Sequence, residues 1–387
     1  ARIPGAISVS PRHMNSWRPT LVATVVVAAL ATLLAGCTLG GDQGAVRAVP
    51  AQRPLPIPAV ADSVIDDQGR RVIDLDIRET AHDFGEGEVS GTWAASSGEA
   101  STYLGPTIRV QRGETVALNV ANNTDEMTTL HWHGMHLPAR MDGGPHSMVQ
   151  PGTTWSPTWT VDQPAATLWY HPHPHGQTAE QIYRGLAGLL LIDDPDAEVV
   201  LPSEYGVDDV PVVVQDKAFT PDGRLDMTAG SDTAVGFVGD TIVVNGVIGA
   251  FHEVRHERVR LRLLNASTGR VYRFALSDGR PFHVVASDGG LLPAPVETAS
   301  VQLSPAERAE IVVPMQPGES VALVSQTPEL GGRVDAARLF GGGTFDVLEL
   351  RADDELVASP PLPAVLAELP TADADDAEHE RSFVLGG

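Results

Sequence analysis

Hydrophobic and polar residues alternate in short runs along most of the chain. In residues 70–77, Ile73, Leu75 and Ile77 alternate with polar residues, a pattern typical of a strand with one buried face. Runs such as VPVVVQD, DTIVVNG, VRLRLLNAS, AEIVVPM and SVALVSQ follow later, spaced by Gly, Pro and Asp. Short strands bounded by turn residues predict an all-β protein built from Greek-key sandwiches.

The clearest local pattern is TIRVQRGETVALNV, residues 107–120. Apolar residues alternate on both sides of an Arg-Gly-Glu turn at residues 112–114. Alternation interrupted by turn chemistry predicts two antiparallel strands that pair with each other as a β-hairpin.

Breaks in this pattern divide the chain into domains. The stretch IDDPDAEVVLPSEYGVDD marks a break, so we expect one β domain over residues 63–195 and a second over residues 196–355. Residues 356–380 are Pro-rich and then acidic, which is typical of an interdomain linker. Residues 381–387 resemble the beginning of a strand, and we expect them to start a third domain.

The amino-terminal region has the pattern of a targeting segment. Arginines precede an apolar run at residues 21–34, and LAGC follows, ending at Cys37. This pattern predicts a signal peptide, and the small residues before Cys37 resemble the lipobox of bacterial lipoproteins. We therefore expect residues 1–37 to direct the chain out of the cytoplasm. We also expect a lipid on Cys37 to anchor the protein at the cell surface. An ordinary signal peptide with an incidental cysteine is the alternative. Residues 38–62, rich in Gly, Ala and Pro, predict a flexible tether.

Composition narrows the range of binding partners. The chain has 50 acidic and 26 basic residues and a formal net charge of −24. Such a charge argues against binding nucleic acid or anionic lipid through a basic face. We expect no nucleic-acid partner, and membrane contact only through the lipid on Cys37.

Six of the thirteen histidines lie in two short segments, LHWHGMH and HPHPH. Because side chains two residues apart leave the same face of a strand, His131 and His133 should project together, as should His171 and His173. Neutral imidazole suits Cu, Zn, Fe and Ni, whereas Ca and Mg need oxygen ligands. Two such pairs on neighbouring strands predict a metal site, and the alternative is two exposed strands with solvated histidines.

The two histidine segments also carry a family resemblance. HWHG…DGGP…QPG and WYHPHPHG…GLAGLLLIDD resemble the copper-binding signatures in the first domain of multicopper oxidases, the family of laccases, bilirubin oxidases and bacterial cuprous oxidases. VPVVVQDKAF, RLRLLNAS and LSPAERAEIVV resemble the second domain of that family. The resemblance implies two cupredoxin-like Greek-key β-sandwiches in tandem, with copper as the cofactor.

The resemblance further implies a role for each motif residue. His131 matches the type 2 copper ligand, and His133, His171 and His173 match ligands of the type 3 copper pair. Asp142 matches an acidic residue that assists proton delivery during oxygen reduction, although on local grounds it is equally a turn residue. Other histidines match no ligand and are expected near the cluster or at the surface: His136, His146 and His175. The second domain is expected to be largely a spacer, with structural or exposed histidines: His252, His256 and His283.

The chain departs from the family at the type 1 copper site, where electrons enter. That site needs two histidines and a cysteine, and the family supplies them, with the remaining trinuclear ligands, from a third cupredoxin domain. The only cysteine here is Cys37, in the predicted signal segment. We therefore expect this chain to carry half of a trinuclear site and no type 1 site. We expect it to be a fragment that needs a missing third domain, and to show no turnover alone.

The implied function is oxidation of a phenol-like compound or a metal ion, coupled to reduction of dioxygen to water. Two alternatives belong to other classes: a non-catalytic copper-binding lipoprotein, and a structural relative that keeps cupredoxin domains for cell division or assembly. A zinc hydrolase is a weaker alternative, because three histidines can hold zinc with an open position.

Overall fold

A computed structural model describes residues 44–387 apart from a few positions: 198, 229–235, 333, 370–376, 378, 380 and 385–387. The predicted signal segment with Cys37 lies outside the described residues, as do residues 38–43 of the predicted tether and part of segment 381–387. Among the described residues, no helix is long and apolar enough to cross a membrane.

The first half of the described chain consists mainly of strands. In chain order they are β1 (Arg53–Pro54), β2 (Val64–Ile65), β3 (Arg71–His82), β4 (Ser90–Ser96), β5 (Ile108–Gln111), β6 (Thr115–Asn122), β7 (His131–His133), β8 (Thr154–Trp155), β9 (Thr158–Thr160), β10 (Ala166–His171) and β11 (Gly188–Asp193). A 3-10 turn at Ala139–Met141 and one helix, α1 (Thr178–Tyr183), lie between them. Strands β2 to β11 form a sandwich: one sheet has the order β5-β11-β10-β7, and the other has the order β2-β3-β6-β8, with β4 on β3 and β9 on β6.

The second half repeats this architecture. Its strands are β12 (Asp209–Lys217), β13 (Thr241–Val244), β14 (Val247–Ile248), β15 (Ala250–His256), β16 (Arg258–Asn265), β17 (Tyr272–Leu276), β18 (Phe282–Ser287), β19 (Gly290–Thr298), β20 (Ser300–Leu303), β21 (Arg308–Pro314), β22 (Ser320–Gln326) and β23 (Thr344–Val357), with helix α2 (Ala336–Phe340) before the last strand. Two sheets result, with the orders β1-β15-β23-β22-β17-β20 and β14-β13-β12-β16-β21-β18-β19. The prediction of an all-β protein with two tandem sandwiches is confirmed.

The predicted hairpin at residues 107–120 is wrong. Strand β5 pairs in parallel with β11, whereas β6 pairs in parallel with β3, so the two strands belong to opposite sheets. Their alternating apolar residues, such as Val110 and Val116, face each other across the buried core. Alternation shows that each strand has one buried face. Two consecutive strands in opposite sheets, joined by a loop across the core, produce the same alternation as a hairpin does.

Residues 44–62 are also not the flexible tether that their composition predicts. β1 adds in parallel to the edge of β15, and the side chain of Leu55 is buried in the second core. The Arg47 guanidinium donates to the Thr241 hydroxyl and forms an ion pair with Glu86 at 2.8 Å. This segment packs on the second sandwich because β15 would otherwise expose an unpaired edge and an apolar pocket.

The predicted linker is partly packed as well. β23 continues to Val357, and the Pro-rich segment after it has no regular structure up to residue 369. Leu366 in this segment is buried against Val285 and Val312 of the second sandwich, and its N–H donates to the carbonyl of Pro293. Residues 365–369 line one wall of a groove of about 920 Å³ whose other walls come from both sandwiches.

The two sandwiches meet through the outer face of the four-stranded sheet. In β10, Leu168 and Tyr170 point into the first core, and the residues that alternate with them point outward. Trp169 packs in an apolar cluster with Val213 and Leu264 of the second sandwich. Thr167 on the same face donates to Glu310 Oε1 at 2.6 Å. The histidines therefore stand on the sheet face that the second sandwich partly covers.

Candidate metal centre

The first histidine pair lies on β7, the edge strand of the four-stranded sheet. His131 and His133 project from the outer face, while Trp132 between them is fully buried in the first core beside Trp159. β7 pairs in antiparallel fashion with β10, so that His131 lies opposite His171 and His133 lies opposite Trp169. This register places three histidines side by side on one sheet face, as the period of two predicts.

The second pair is built differently from the prediction. β10 ends at His171, so His173 belongs to the following loop and not to a strand. The His173 backbone N–H donates to the Thr129 hydroxyl at 2.7 Å, which holds this loop against the first sandwich. The ring of His173 still reaches the cluster, with its centroid 5.4 Å from that of His131 and 5.8 Å from that of His171.

Three of the histidines have ring nitrogens close enough to share a metal ion. One nitrogen each from His131, His133 and His171 lies within 4.8 Å of the others. His171 Nδ1 donates to the Pro172 carbonyl at 2.8 Å, so Nε2 carries the lone pair. His133 Nδ1 lies 3.1 Å from that Nε2 and donates to it. These two nitrogens share a proton that a metal ion would replace.

Burial favours the neutral, metal-binding form of two of the histidines, His133 and His171. Burial, together with the smaller effect of the positive charge of Arg308, lowers the pKa of His133 to about 4. Burial also holds the pKa of His171 well below its usual range. At neutral pH both rings are therefore uncharged, which is the ligating state of imidazole.

Asp142 lies beside His131. The His131 Nδ1–H points at both the Asp142 carbonyl, at 2.9 Å, and the carboxylate Oδ2, at 3.2 Å. The next residue, Gly143, has φ +71° and packs against the Leu130 carbonyl, where a side chain would not fit. Asp142 is thus both the end of a tight turn and a partner that fixes the His131 tautomer, leaving Nε2 to face the cluster.

Two neighbours of the cluster were not predicted as part of the site. The Trp169 ring lies 4.1 Å from that of His171 and 5.4 Å from that of His133, centroid to centroid, and covers them on the side of the second sandwich. Gln163 is buried, donates to the Gly134 carbonyl and accepts from the His136 N–H. These two hydrogen bonds hold residues 134–136, which directly follow the first histidine pair. The Trp next to each histidine pair was a signal in the sequence; Gln163 had none.

Among the described residues, the histidines outside the two pairs do not belong to the group whose ring nitrogens converge. Those near it in sequence have exposed side chains: His136, His146 and His175. In the second sandwich, His252 is buried and its Nε2 bonds the Val207 carbonyl at 3.1 Å, as expected of a structural residue.

Comparison with known proteins identifies the family. Residues 90–197 match one family described as multicopper oxidase, and residues 212–344 match a second family of the same description. The chain belongs to the multicopper oxidase family. Its cupredoxin-like fold, expected from the motifs, is thereby confirmed, because the structural relatives share it across both sandwiches.

The relatives of this multicopper oxidase family member carry two kinds of name. Cell division protein FtsP of Edwardsiella tarda is 39% identical over 358 residues, which is 90% of this chain and 72% of the relative. Multicopper oxidase mco of Staphylococcus epidermidis is 39% identical over 269 residues, 69% of this chain and 59% of the relative. The crystal structure of a laccase from Pediococcus acidilactici superposes with a TM-score of 0.75 at 33% identity, covering 86% of this chain and 68% of the laccase.

The family implies copper, and the residues present fit it. The donor set consists of imidazoles, which suit copper and are poor ligands for Ca or Mg. In the described part of the chain, His173 Nδ1 is buried and has no hydrogen-bond partner, so a polar atom at the cluster is left for another ligand. His131 and His171 each have one nitrogen fixed by an oxygen acceptor, which is how metal-binding histidines are usually oriented.

Proposed function

We propose that this chain forms the first two cupredoxin domains of an oxygen-reducing multicopper oxidase and binds copper through His131, His133, His171 and His173. The observation that supports this most strongly is the convergence of ring nitrogens of His131, His133 and His171 on one sheet face, with the tautomers of His131 and His171 fixed by oxygen acceptors. Solvated histidines on exposed strands would need neither the burial nor the shared orientation.

Within this proposal each residue has a distinct task. His131 would hold the type 2 copper, and His133, His171 and His173 would contribute ligands to the type 3 pair. When bound, the copper ions would supply the electron-transfer chemistry of oxygen reduction. The Asp142 carboxylate, 3.2 Å from His131 Nδ1 and partly open to solvent, can accept a proton and pass it on. Trp169 shields the rings from water on one side.

A type 1 copper site needs a cysteine ligand, and Cys37 is the only cysteine in the sequence. The reducing substrate, a phenol-like compound or a metal ion, would supply the electrons, and dioxygen would accept them. We place the protein outside the cytoplasm, anchored by a lipid on Cys37. Oxygen uptake with a phenolic dye should therefore be absent for this chain alone.

The first test of the proposal is copper loading. The full chain is incubated with Cu(II) and dialysed. It should keep copper whose electron paramagnetic resonance spectrum is that of a normal, non-blue Cu(II) centre, with no strong blue absorption. A blue band needs a bond between copper and a thiolate, and Cys37 is the only thiol. Complete loss of copper on dialysis, or an intense blue band, would contradict the proposed ligands.

The role of Asp142 has a separate test. In the complete oxidase, Asp142→Asn should retain copper but slow oxygen consumption by about 10²–10⁴-fold, because an amide keeps the shape yet cannot accept a proton at neutral pH. Oxygen consumption equal to that of the wild type would leave Asp142 as a turn residue only.

A structural role in cell division is the second candidate. It is supported by the similarity to relatives named cell division protein FtsP, among them that of Edwardsiella tarda at 39% identity. The two candidates differ in their need for the histidines. In cells that lack this protein and divide abnormally, a chain with all four histidines changed to alanine would restore division if the role is structural. Failure of that variant, with success of the wild type, would favour the copper-dependent function.

A further inference from the structure

Arg308, at the start of β21 in the second sandwich, reaches the first sandwich at β10, the strand that ends at His171. Its buried side chain donates from Nε to the Thr167 carbonyl of β10 at 3.2 Å. Nη1 forms an ion pair with Asp288 Oδ1 at 2.8 Å, and Nη2 donates to the Asp288 carbonyl at 3.0 Å. The guanidinium thus joins the histidine-bearing strand to the second domain.

The same guanidinium touches the strand that carries the first pair. A β-carbon placed on Gly134, the residue after His133, would lie 2.8 Å from Arg308 Nη2. The glycine has φ +91°, so both its conformation and this close contact disfavour a side chain. Arg308 therefore packs against β10 through Thr167 and against the end of β7 through Gly134.

The charge on Arg308 is close to the cluster and permanent. A guanidinium stays protonated in proteins, and this one is 4% exposed, so solvent screens it weakly. Its counter-ion, Asp288, is 48% exposed and compensates only in part. The second domain, expected to be a spacer, thus places a buried and only partly compensated positive charge near His133.

We propose that Arg308 is a positioning residue of the copper site, which holds β7 and β10 in register and favours Cu(I) over Cu(II) at the histidines. This inference rests on the proposed function, since it concerns the same ligands. Reduction takes one electron from an external reductant and lowers the charge of the site by one. A fixed positive charge repels Cu(II) more strongly than Cu(I), so it raises the reduction potential of the Cu(II)/Cu(I) couple.

The expected size follows from Coulomb's law. One positive charge roughly several ångströms away, at an effective dielectric constant of about 20 and with its effect reduced by Asp288, changes the ratio of Cu(I) to Cu(II) affinity by about tenfold. For a one-electron couple this corresponds to about 59 mV.

Three substitutions separate this electrostatic role of Arg308 from simple packing. Arg308→Met removes the positive charge and should lower the Cu(I)/Cu(II) affinity ratio of the full chain about tenfold. Asp288→Asn keeps an oxygen acceptor for Arg308 but removes the compensating negative charge, so it should raise the ratio. Arg308→Lys keeps the charge and should stay near the wild type. Both affinities are measured by competition with chelators of Cu(I) and Cu(II).

Opposite shifts for Arg308→Met and Asp288→Asn would support the inference, because loss of packing alone would move both variants in the same direction. Shifts of the same sign, or no shift in either, would overturn it. If Arg308→Met fails to fold, the Asp288→Asn ratio decides: a rise supports the inference and an unchanged ratio overturns it. A wild-type chain that binds no copper would instead refute the proposed function, so the two failures are distinct.

Discussion

His133→Ala in the full chain is expected to weaken copper retention by more than about 100-fold. Loss of an outer-shell partner of a metal ligand typically costs 10- to 100-fold in affinity, and His133 is itself a ligand in our account. Its Nδ1 lies 3.1 Å from His171 Nε2, so the substitution also removes the neighbour that orients His171. Copper remaining after dialysis against a weak chelator, counted by atomic absorption, measures the effect.

The matched control is His283→Ala. His283 lies on β18 of the second sandwich with a partly exposed side chain, and its contact to Glu297 is 3.8 Å long. The same change in composition should therefore leave copper retention and stability near the wild type. Equal copper loss from both variants would show that the metal is bound non-specifically by exposed histidines.

The second large effect is expected from Glu310→Gln, at the junction of the two sandwiches. Glu310 accepts from Thr167 of the first sandwich at 2.6 Å and from Arg262 at 2.9 Å, and it also pairs with Arg260. Breaking one partner of a buried ion pair typically costs about 3–5 kcal/mol. We expect a loss of this size in the free energy of unfolding, measured by urea denaturation.

The matched control for this substitution is Glu329→Gln, which breaks an ion pair with Arg273 at the surface. Glu329 is 76% exposed, and such pairs contribute about 0–1 kcal/mol. If both substitutions lower the unfolding free energy equally, the buried network has no special part in joining the sandwiches.

The same network makes stability depend on pH. Burial alone would raise the pKa of Glu310, but the charges of Arg260 and Arg262 outweigh it and lower the pKa to about 2. Because the pKa in the folded state lies below that of the unfolded chain, the stabilisation is complete above the unfolded value of about 4.5 and is lost as the pH falls towards 2. Unfolding of Glu310→Gln should be less sensitive to pH over this window.

The strands could be predicted from the sequence, but their partners could not. Alternation located β3, β5 and β6 correctly because each buries every second side chain. It could not tell that β5 and β6 belong to opposite sheets. Likewise, Leu55 lies in a segment with the composition of a tether, and its burial depends on the edge of β15, about 200 residues later in the chain.

The site was predictable as far as it is local. The spacing of His131 and His133 fixed their common face, and the second motif supplied His171. His173 reaches the cluster although the strand ends before it, because Thr129 holds its loop. Arg308 comes from the second sandwich, and only the packing of the two domains brings it to the strands that carry the histidines.

X-ray absorption at the copper edge would show directly whether the two histidine pairs form one copper site. The full chain loaded with Cu(II) should show nitrogen scatterers with the multiple-scattering pattern of imidazole and no sulfur, and a variant with alanine at His131, His133, His171 and His173 should lose that pattern. A sulfur scatterer in the wild type, or the same imidazole pattern in the variant, would contradict the account.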